Sequence, residues 1–125
     1  MLPSFKKYAM CNLRGGIGKT TLSFNLSYLT DNLLMVDTCP QGNLSYFYDN
    51  QYYSSGAVNV RDMIIPYLIP GLGKATHVAA YIGATNKYFD GKNSYYIPSS
   101  EELYLLPSQL NTAINQALGL PNDLR

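Results

Sequence analysis

The sequence feature that most constrains the fold is a glycine-rich stretch near the amino terminus, RGGIGKTT at residues 14–21. It follows a short apolar run at residues 8–11 and precedes a segment in which Leu22, Leu26 and Leu29 recur at helical spacing. A strand, a glycine-rich turn and a helix in this order form the setting in which a Gly-Lys-Thr sequence binds phosphate. The sequence therefore predicts a phosphate-binding loop between a first strand and a first helix.

Each residue type in this stretch has a physical role. Glycines let consecutive backbone N–H groups approach phosphate oxygens, because no Cβ stands in the way, and the start of a helix adds further unpaired N–H groups. Lys19 can place its ammonium on the terminal phosphates, and the Thr20 hydroxyl is a natural ligand for phosphate-bound Mg²⁺. The alternative is a glycine-rich turn that only connects two elements. The predicted phosphate contacts are Gly15, Gly16, Ile17, Gly18, Lys19, Thr20 and Thr21.

The composition describes one globular domain without a strongly charged surface. The chain has 125 residues, 46% of them hydrophobic, and a formal net charge of +1, so nothing in its charge favours a nucleic-acid face or a membrane patch. The two cysteines lie far apart and lack metal-type spacing, which favours a reducing compartment. No segment approaches the ~20 apolar residues of a membrane span. We therefore expect a cytoplasmic protein that does not bind membranes.

The first third of the chain predicts a parallel crossover unit. Residues 7–12 are expected to form a strand, residues 19–29 a helix, and the apolar run at 33–36 a second strand that ends at Asp37. A right-handed crossover of this kind places the carboxyl ends of both strands at one edge of the sheet. We therefore expect the glycine-rich loop and Asp37 to lie close together.

The remainder of the chain predicts shorter elements. Residues 77–85 are compatible with either helix or strand. The Gly73-Lys74 pair lacks a following Ser or Thr, so we interpret it as a connector. We interpret His77 as a surface residue. The other predicted elements are a short helix over 44–50, a helix beginning at Val60 and stopped by Pro66 and Pro70, a β-hairpin that turns at Asp90-Gly91, a strand over 103–108, and a helix over 109–118.

The glycine-rich loop departs from the common phosphate-loop pattern in an informative way. G-x-x-x-x-G-K-[ST] would require glycine at position 13, where the chain has Leu13. The pair Gly15-Gly16, preceded by Arg14, instead resembles the deviant Walker A loop KGGxGK[ST]T of the ParA/MinD family of ATPases, with arginine at the usual lysine position. Pro-Gln-Gly-Asn at 40–43 resembles the D-x-D-P-Q-G-N segment of partition ATPases and favours the ParA side. Residues 103–108 resemble the family's L-x-L-[LI]-P-S segment.

This resemblance implies a fold and an activity. The fold is an α/β, P-loop NTPase-like three-layer domain with a mainly parallel sheet, of which residues 1–125 would be the nucleotide-binding amino-terminal part. The activity is ATP binding with Mg²⁺, nucleotide-dependent homodimerisation and slow hydrolysis in plasmid or chromosome segregation, with an activating protein and non-specific DNA as partners. Lys19 would neutralise the phosphates, Thr20 and Asp37 would lie at the Mg²⁺, and Arg14 would reach the partner subunit's phosphates.

One departure from the family pattern concerns hydrolysis. Cys39 occupies the position of the second aspartate, which in the family is credited with positioning the attacking water. A neutral thiol is a weak acceptor, and loss of a positioned proton acceptor typically costs ~10²–10⁴ in rate. The resulting hypothesis is a nucleotide-binding switch with impaired hydrolysis, unless Asp37 takes over this role. The alternative interpretation is that Cys39 is only a small residue near the end of a strand.

The resemblance is also incomplete. The family's next element is the Walker B strand, which neighbours the loop-bearing strand and has no counterpart up to residue 125. We therefore expect a fragment of a longer protein or a truncated product that needs a partner, and the alternative is a complete small domain with another sheet order. Two rival functions stay open: a non-catalytic adaptor, and a relative of bacterial tyrosine kinases. The kinase is disfavoured because the tyrosines are dispersed and absent from 105–125.

Overall fold

The computed structural model describes residues 4–11, 16, 18–52, 58–68 and 79–119. Predictions that involve Arg14, Gly15, Ile17, the Gly73-Lys74 pair and His77 lie outside these residues. The described residues form a mixed α/β arrangement. Its helices and strands are α1 (Lys19–Leu29), β1 (Leu33–Val36), α2 (Asn43–Tyr48), α3 (Val60–Leu68), β2 (Ala80–Tyr81), β3 (Ser94–Ile97) and α4 (Leu106–Ala117), with short 3-10 helices over Ile82–Ala84, Lys87–Phe89 and Glu101–Leu105.

The strands form a small sheet in the order β1-β3-β2. β1 pairs with β3 in parallel, from Leu33 opposite Ser94 to Val36 opposite Ile97. β2 pairs with β3 in the antiparallel direction, with Ala80 opposite Tyr96. The parallel character expected for this fold class is therefore only partial. The chain crosses from β1 to β3 through α2 and α3, which places the carboxyl ends of β1 and β3 at the same edge.

β3 is the central strand and is covered on both faces. Successive residues of a strand point to opposite sides, and Tyr96 and Ile97 accordingly enter two different apolar clusters. One cluster combines residues of α2, β3 and the 3-10 segments with Phe24 of α1 at its margin: Leu44, Tyr48, Ile82, Phe89 and Tyr96. The other combines Ile97 with Val60 of α3 and Leu103, and Leu106 of α4 packs against it. Helices thus lie on either side of this strand.

The Tyr96 cluster is largely aromatic. The Phe24 ring lies 5.7 Å from Tyr48 and 5.6 Å from Phe89 between centroids, distances at which offset and edge-to-face pairs attract. The Tyr48 hydroxyl finds a buried partner, because it donates to Ser27 Oγ at 2.6 Å. Burial raises the pKa of Tyr48 to about 12 and also raises the pKa of Tyr96. Both tyrosines therefore serve as core packing, and the Tyr48 hydroxyl is bonded inside the core.

Helix α1 has the predicted bounds. The leucines that carry the helical spacing are turned outward, since Leu22, Leu26 and Leu29 are 51%, 40% and 77% exposed. The buried side is formed by Ser23 and Ser27, with Phe24 between them. Small serines let the helix approach α2 closely, and Phe24 supplies the apolar contact.

The predicted first strand is not formed by the described part of that segment. Residues 4–11 are irregular, and their apolar side chains face solvent, with Tyr8 80% exposed. A strand of this kind is stable only where a neighbouring strand pairs with it and other elements cover its faces. Within the described residues the sheet joins only β1, β3 and β2, so this prediction was wrong for 7–11.

The predicted strand over 103–108 was also wrong. Residues Glu101–Leu105 form a 3-10 helix, and α4 begins at Leu106, so the predicted helix over 109–118 is confirmed and starts earlier. Ser100 accepts a hydrogen bond from the Glu102 amide and caps the turn, and Pro107 suits the first turn of a helix. The strand that ends in Ile-Pro-Ser lies earlier in the chain, at β3.

The shorter elements agree only in part with their predictions. Pro66 lies inside α3 and does not stop it, since the helix continues to Leu68, and Pro70 lies outside the described residues. Asp90 and Gly91 do form a turn, but a 3-10 helix precedes it, and the strand paired antiparallel with β3 is β2. The undecided stretch up to residue 85 contains both β2 and a 3-10 helix. The short helix predicted over 44–50 is confirmed as α2.

Candidate functional site

The start of α1 has the backbone shape expected of a phosphate-binding loop. Gly16 and Gly18 both have left-handed backbone, with φ of 72° and 91°, a conformation that glycine adopts at little cost. Gly18 is the N-cap, and its carbonyl accepts the first helical hydrogen bond from the Leu22 amide at 2.8 Å. A left-handed residue followed by helical residues turns successive N–H groups toward one side. Gly16 and Gly18 thus have the backbone conformation that a concave run of donors requires.

The side chains around this turn leave it open and electropositive. Apart from its chain neighbours, no described residue has an atom within 4 Å of the position that a Cβ would take on Gly16 or Gly18. No side chain caps the helix, and its first turn contains no acidic residue. Since the first N–H groups of a helix have no partner within the helix, they are directed toward a ligand or water. Lys19 and Thr20 are half-buried beside them, and Thr21 is exposed.

Asp37 follows β1 directly and is 5% exposed. Its Oδ1 accepts from the Cys39 amide at 3.1 Å, and its Oδ2 accepts from Ser45, from the amide at 3.0 Å and from the hydroxyl at 2.7 Å. Three donors satisfy much of the hydrogen-bonding capacity of this buried carboxylate. A negative charge is also favourable beside the first turn of a helix, here α2. Asp37 thus connects the end of β1 to the start of α2.

Gly42 makes this connection possible. It has φ of 68° and precedes α2 as its N-cap. A Cβ at this position would lie 1.9 Å from the Tyr52 hydroxyl oxygen, so no larger residue fits without rearrangement. The structure therefore explains the glycine in the Pro-Gln-Gly-Asn segment, because the chain turns close to Tyr52 at this residue and α2 then begins beside Asp37.

Ser99 extends the network to the neighbouring strand. Its amide donates to Ser45 Oγ at 3.0 Å, and its own hydroxyl donates to the Cys39 carbonyl. Ser45 and Ser99 are therefore functional-site residues that sequence reasoning missed. The only local signals were a serine shortly after Pro-Gln-Gly-Asn and the Ile-Pro-Ser-Ser at the end of β3. Their pairing spans 54 positions in the chain and needs the tertiary structure.

Cys39 is exposed and carries a free thiol. Its backbone takes part in the network, because the amide donates to Asp37 and the carbonyl accepts from Ser99. Its side chain does not replace the carboxylate expected at this position, since a thiol is a weak acceptor. Cys39 thus takes part in the network through its backbone, whereas its thiol is exposed and can contact solvent or a ligand.

A groove opens at the same sheet edge, beyond the network. Its volume is about 760 Å³, and Arg61 bonds Glu102 at its margin at 2.8 Å. The lining is mixed, with two side-chain amides and two carboxylates beside an aromatic ring and two apolar side chains. The lining residues are Pro40, Gln41, Asn43, Glu101, Glu102, Tyr104 and Leu105. The described residues of the glycine-rich loop do not contribute to this groove.

The predicted site residues thus fall into two groups. The described loop residues lie at the amino end of α1, and Asp37 lies at the carboxyl end of β1, with residues 30–32 joining the opposite ends of these two elements. Their mutual proximity and their contacts with a nucleotide stay predictions.

No group of three or more His, Cys, Asp or Glu side chains forms a metal site among the described residues. None of the helices described is long and apolar enough to span a bilayer.

Comparison with known proteins gives one match. A family model with the description AAA domain matches residues 5–125. Neither the curated proteins nor the solved structures contain a significant match to the chain. The matched region includes the glycine-rich loop, Asp37, the serine network and both apolar clusters.

Proposed function

The chain belongs to the AAA domain family, a P-loop NTPase-like family related to ParA and MinD, and on this premise we propose that it binds ATP with Mg²⁺ through residues 14–21. The family match supports a nucleotide-binding P-loop domain. The proposal of ATP rests on the resemblance of Arg14-Gly15-Gly16 and Pro40 to Asn43 to partition ATPases.

The backbone at the start of α1 is the observation that carries this proposal. Two left-handed glycines precede a helix of 11 residues whose first turn contains no acid and no side-chain cap. Such a helix end favours an anion through both its N–H groups and its dipole. Lys19, half-buried at the first helical position, adds a positive charge where the terminal phosphates of ATP would lie.

The proposed Mg²⁺ ligands are both oxygen donors. Mg²⁺ prefers oxygen donors and binds through one or two protein side chains while it keeps several waters. The Thr20 hydroxyl is one such donor, and the Asp37 carboxylate is the other. Bound Mg²⁺ would neutralise phosphate charge. Arg14 is proposed to contact the phosphates of a second subunit in a nucleotide-dependent homodimer.

Hydrolysis is proposed to be impaired but measurable. Cys39 presents an exposed thiol at the position where the family carries its second aspartate, and Asp37 already accepts three hydrogen bonds. Neither side chain is well suited to orient a water for attack. We propose that the protein acts as a cytoplasmic nucleotide switch in plasmid or chromosome segregation, with an activating protein and non-specific DNA as partners.

Equilibrium binding of a fluorescent ATP analogue, with Mg²⁺ and with EDTA, tests the central proposal. We expect the chain to bind the analogue more tightly with Mg²⁺, and Lys19→Ala to weaken binding by about 100-fold, the loss typical of one charged partner. Thr112→Ala, an exposed change within α4, is the matched control and should leave binding unchanged. If the unaltered chain does not bind the analogue, or if Lys19→Ala binds equally well, the proposal is wrong.

A second candidate function is a nucleotide-binding adaptor without catalysis. The exposed Cys39 thiol favours it, because no carboxylate stands in the position that orients water. Phosphate release measured with malachite green separates the two candidates. Turnover that survives Cys39→Ser but is lost in Asp37→Ala would assign catalysis to Asp37 and reject the adaptor. Binding without any release of phosphate would favour it.

A further inference from the structure

We propose that Ser45 is a positioning residue whose buried hydroxyl fixes the Asp37 carboxylate, so that Oδ1 alone retains acceptor capacity toward Mg²⁺ and nucleotide. This inference rests on the proposed function of the same edge. It assigns a role to a side chain outside both the glycine-rich loop and the Pro-Gln-Gly-Asn segment. The role follows from the count of donors and acceptors around three residues.

The two oxygens of Asp37 are not equivalent. Each carboxylate oxygen accepts about two hydrogen bonds. Oδ2 accepts two, both from Ser45, at 3.0 Å from the amide and 2.7 Å from the hydroxyl. Oδ1 accepts one, from the Cys39 amide at 3.1 Å. Oδ2 is therefore saturated, and Oδ1 is the oxygen that can accept one more bond, from a Mg²⁺-bound water or from the ion.

The Ser45 hydroxyl is itself held in one orientation. Its single proton is donated to Asp37, and its oxygen accepts from the Ser99 amide at 3.0 Å. Ser45 is 0% exposed, so rotation of the hydroxyl would break both bonds with no water to replace them. The Ser99 hydroxyl, bonded to the Cys39 carbonyl, closes the ring. The carboxylate is thus anchored to α2 and to the residues that follow β3.

Positioning differs in its consequences from a purely structural connection. If Ser45 only attaches α2 to the sheet, its loss lowers stability and weakens nucleotide binding equally with and without Mg²⁺. If Ser45 orients Asp37, its loss frees the carboxylate to rotate and weakens mainly the Mg²⁺-dependent part of binding. The ratio of the dissociation constants in EDTA and in Mg²⁺ distinguishes the two, because a uniform loss cancels in the ratio.

The experiment measures this ratio for the full 125-residue chain with N-methylanthraniloyl-ATP as the probe. We expect Ser45→Ala to reduce the ratio by about tenfold, a loss of the size expected for one hydrogen bond to a charged group. Ser27→Ala is the matched control, since Ser27 is an equally buried serine whose partner is Tyr48. It should keep the ratio of the unaltered chain.

A double-mutant comparison connects the effect to Asp37. In the Asp37→Asn background, Ser45→Ala should change the ratio no further, because the group that it orients has lost its charge. If circular dichroism shows that Ser45→Ala does not fold, Ser45→Cys takes its place, since it keeps the volume and replaces a strong donor by a weak one.

The outcomes separate this inference from the proposed function. An unchanged ratio in the folded Ser45 variant, or an equal loss in the Asp37→Asn background, overturns the positioning role while nucleotide binding stands. Failure of the unaltered chain to bind the analogue in either buffer overturns the proposed function and the inference together. A reduced ratio that depends on Asp37 supports both.

Discussion

The two ends that the proposed site brings together are built by opposite means. At the end of β1, Asp37 is buried, and Ser45 and Ser99 surround it with hydrogen bonds that are already formed. At the start of α1, Gly16 and Gly18 are exposed, and no described side chain caps the helix. The polar groups at the end of β1 are therefore hydrogen-bonded within the protein, whereas the first N–H groups of α1 are donors that a ligand would satisfy.

This contrast teaches where substitutions should affect folding and where they should affect binding. A glycine occurs with positive φ in both regions, but for different reasons. Gly42 is enclosed by Tyr52, whereas on Gly18 a Cβ would have no atom of the described, non-neighbouring residues within 4 Å. Glycine can thus be changed to alanine at Gly42 and at Gly18, and the free energy of unfolding and the nucleotide affinity can be measured for both variants.

The largest expected effect is on the enclosed glycine. Gly42→Ala should lower the free energy of unfolding by about 3 kcal/mol, because the added methyl overlaps the Tyr52 hydroxyl and the left-handed backbone is strained. Gly91→Ala is the control, with φ of 78° and open space around it, and should cost about 1 kcal/mol. Urea unfolding followed by circular dichroism measures both. Equal losses would show that Tyr52 moves aside without cost.

Gly18→Ala should reverse the balance between the two measurements. We expect a loss of about 1 kcal/mol in stability, since only the left-handed backbone is penalised. The affinity for the fluorescent ATP analogue should fall by about tenfold or more, because a side chain now stands where phosphate approaches backbone N–H groups. If Gly18→Ala loses stability as Gly42→Ala does and keeps its affinity, the contrast between the two regions is wrong.

The aromatic cluster offers a smaller and pH-dependent effect. Burial raises the pKa of Tyr48 from 10.0 to about 12, so the folded state keeps its proton at a pH where the unfolded state loses it. Stability is therefore complete below about pH 10 and falls as the pH rises toward 12. Tyr48→Phe should cost about 1 kcal/mol at neutral pH, because the bond to Ser27 is lost. The midpoint of urea unfolding, measured from neutral to alkaline pH, should decline less steeply in this variant.

The smallest expected effect lies at the margin of the groove. Arg61 and Glu102 form an ion pair at 2.8 Å with a half-exposed carboxylate, and such pairs contribute little in water. Glu102→Gln should change the free energy of unfolding by less than about 0.5 kcal/mol and leave the affinity for the ATP analogue unchanged. A loss as large as that of Tyr48→Phe in the same urea titration would show that this ion pair is more important than its exposure indicates.

The sequence was most informative where short-range signals agree. The helix over 19–29 and the strand over 33–36 were predicted with the bounds that the structure has, because a glycine turn, helical spacing and a continuous apolar run each indicate one state. The exposed leucines of α1 were not foreseen. Leucine spacing identifies a helix, but which side packs depends on what surrounds it, and here Phe24 and two serines face the core.

Two similar stretches show why the remainder was harder to predict. Tyr96-Ile97-Pro98-Ser99 and Leu105-Leu106-Pro107-Ser108 resemble each other locally, yet the first ends a strand and the second begins a helix. The difference is tertiary: β3 pairs with β1 and β2 and fills two clusters. The serine network has the same origin, because Ser45 and Ser99 meet only when β1 and β3 are neighbours.

The central position of β3 has a consequence for how this chain tolerates changes in length. Since Tyr96 and Ile97 supply opposite clusters from adjacent positions, inserting or deleting one residue just before them would exchange their faces. Each side chain would then meet the wrong surroundings, and both halves of the interior would fail at once. Length variation should therefore be found in the connections, whereas the spacing within these four residues stays fixed.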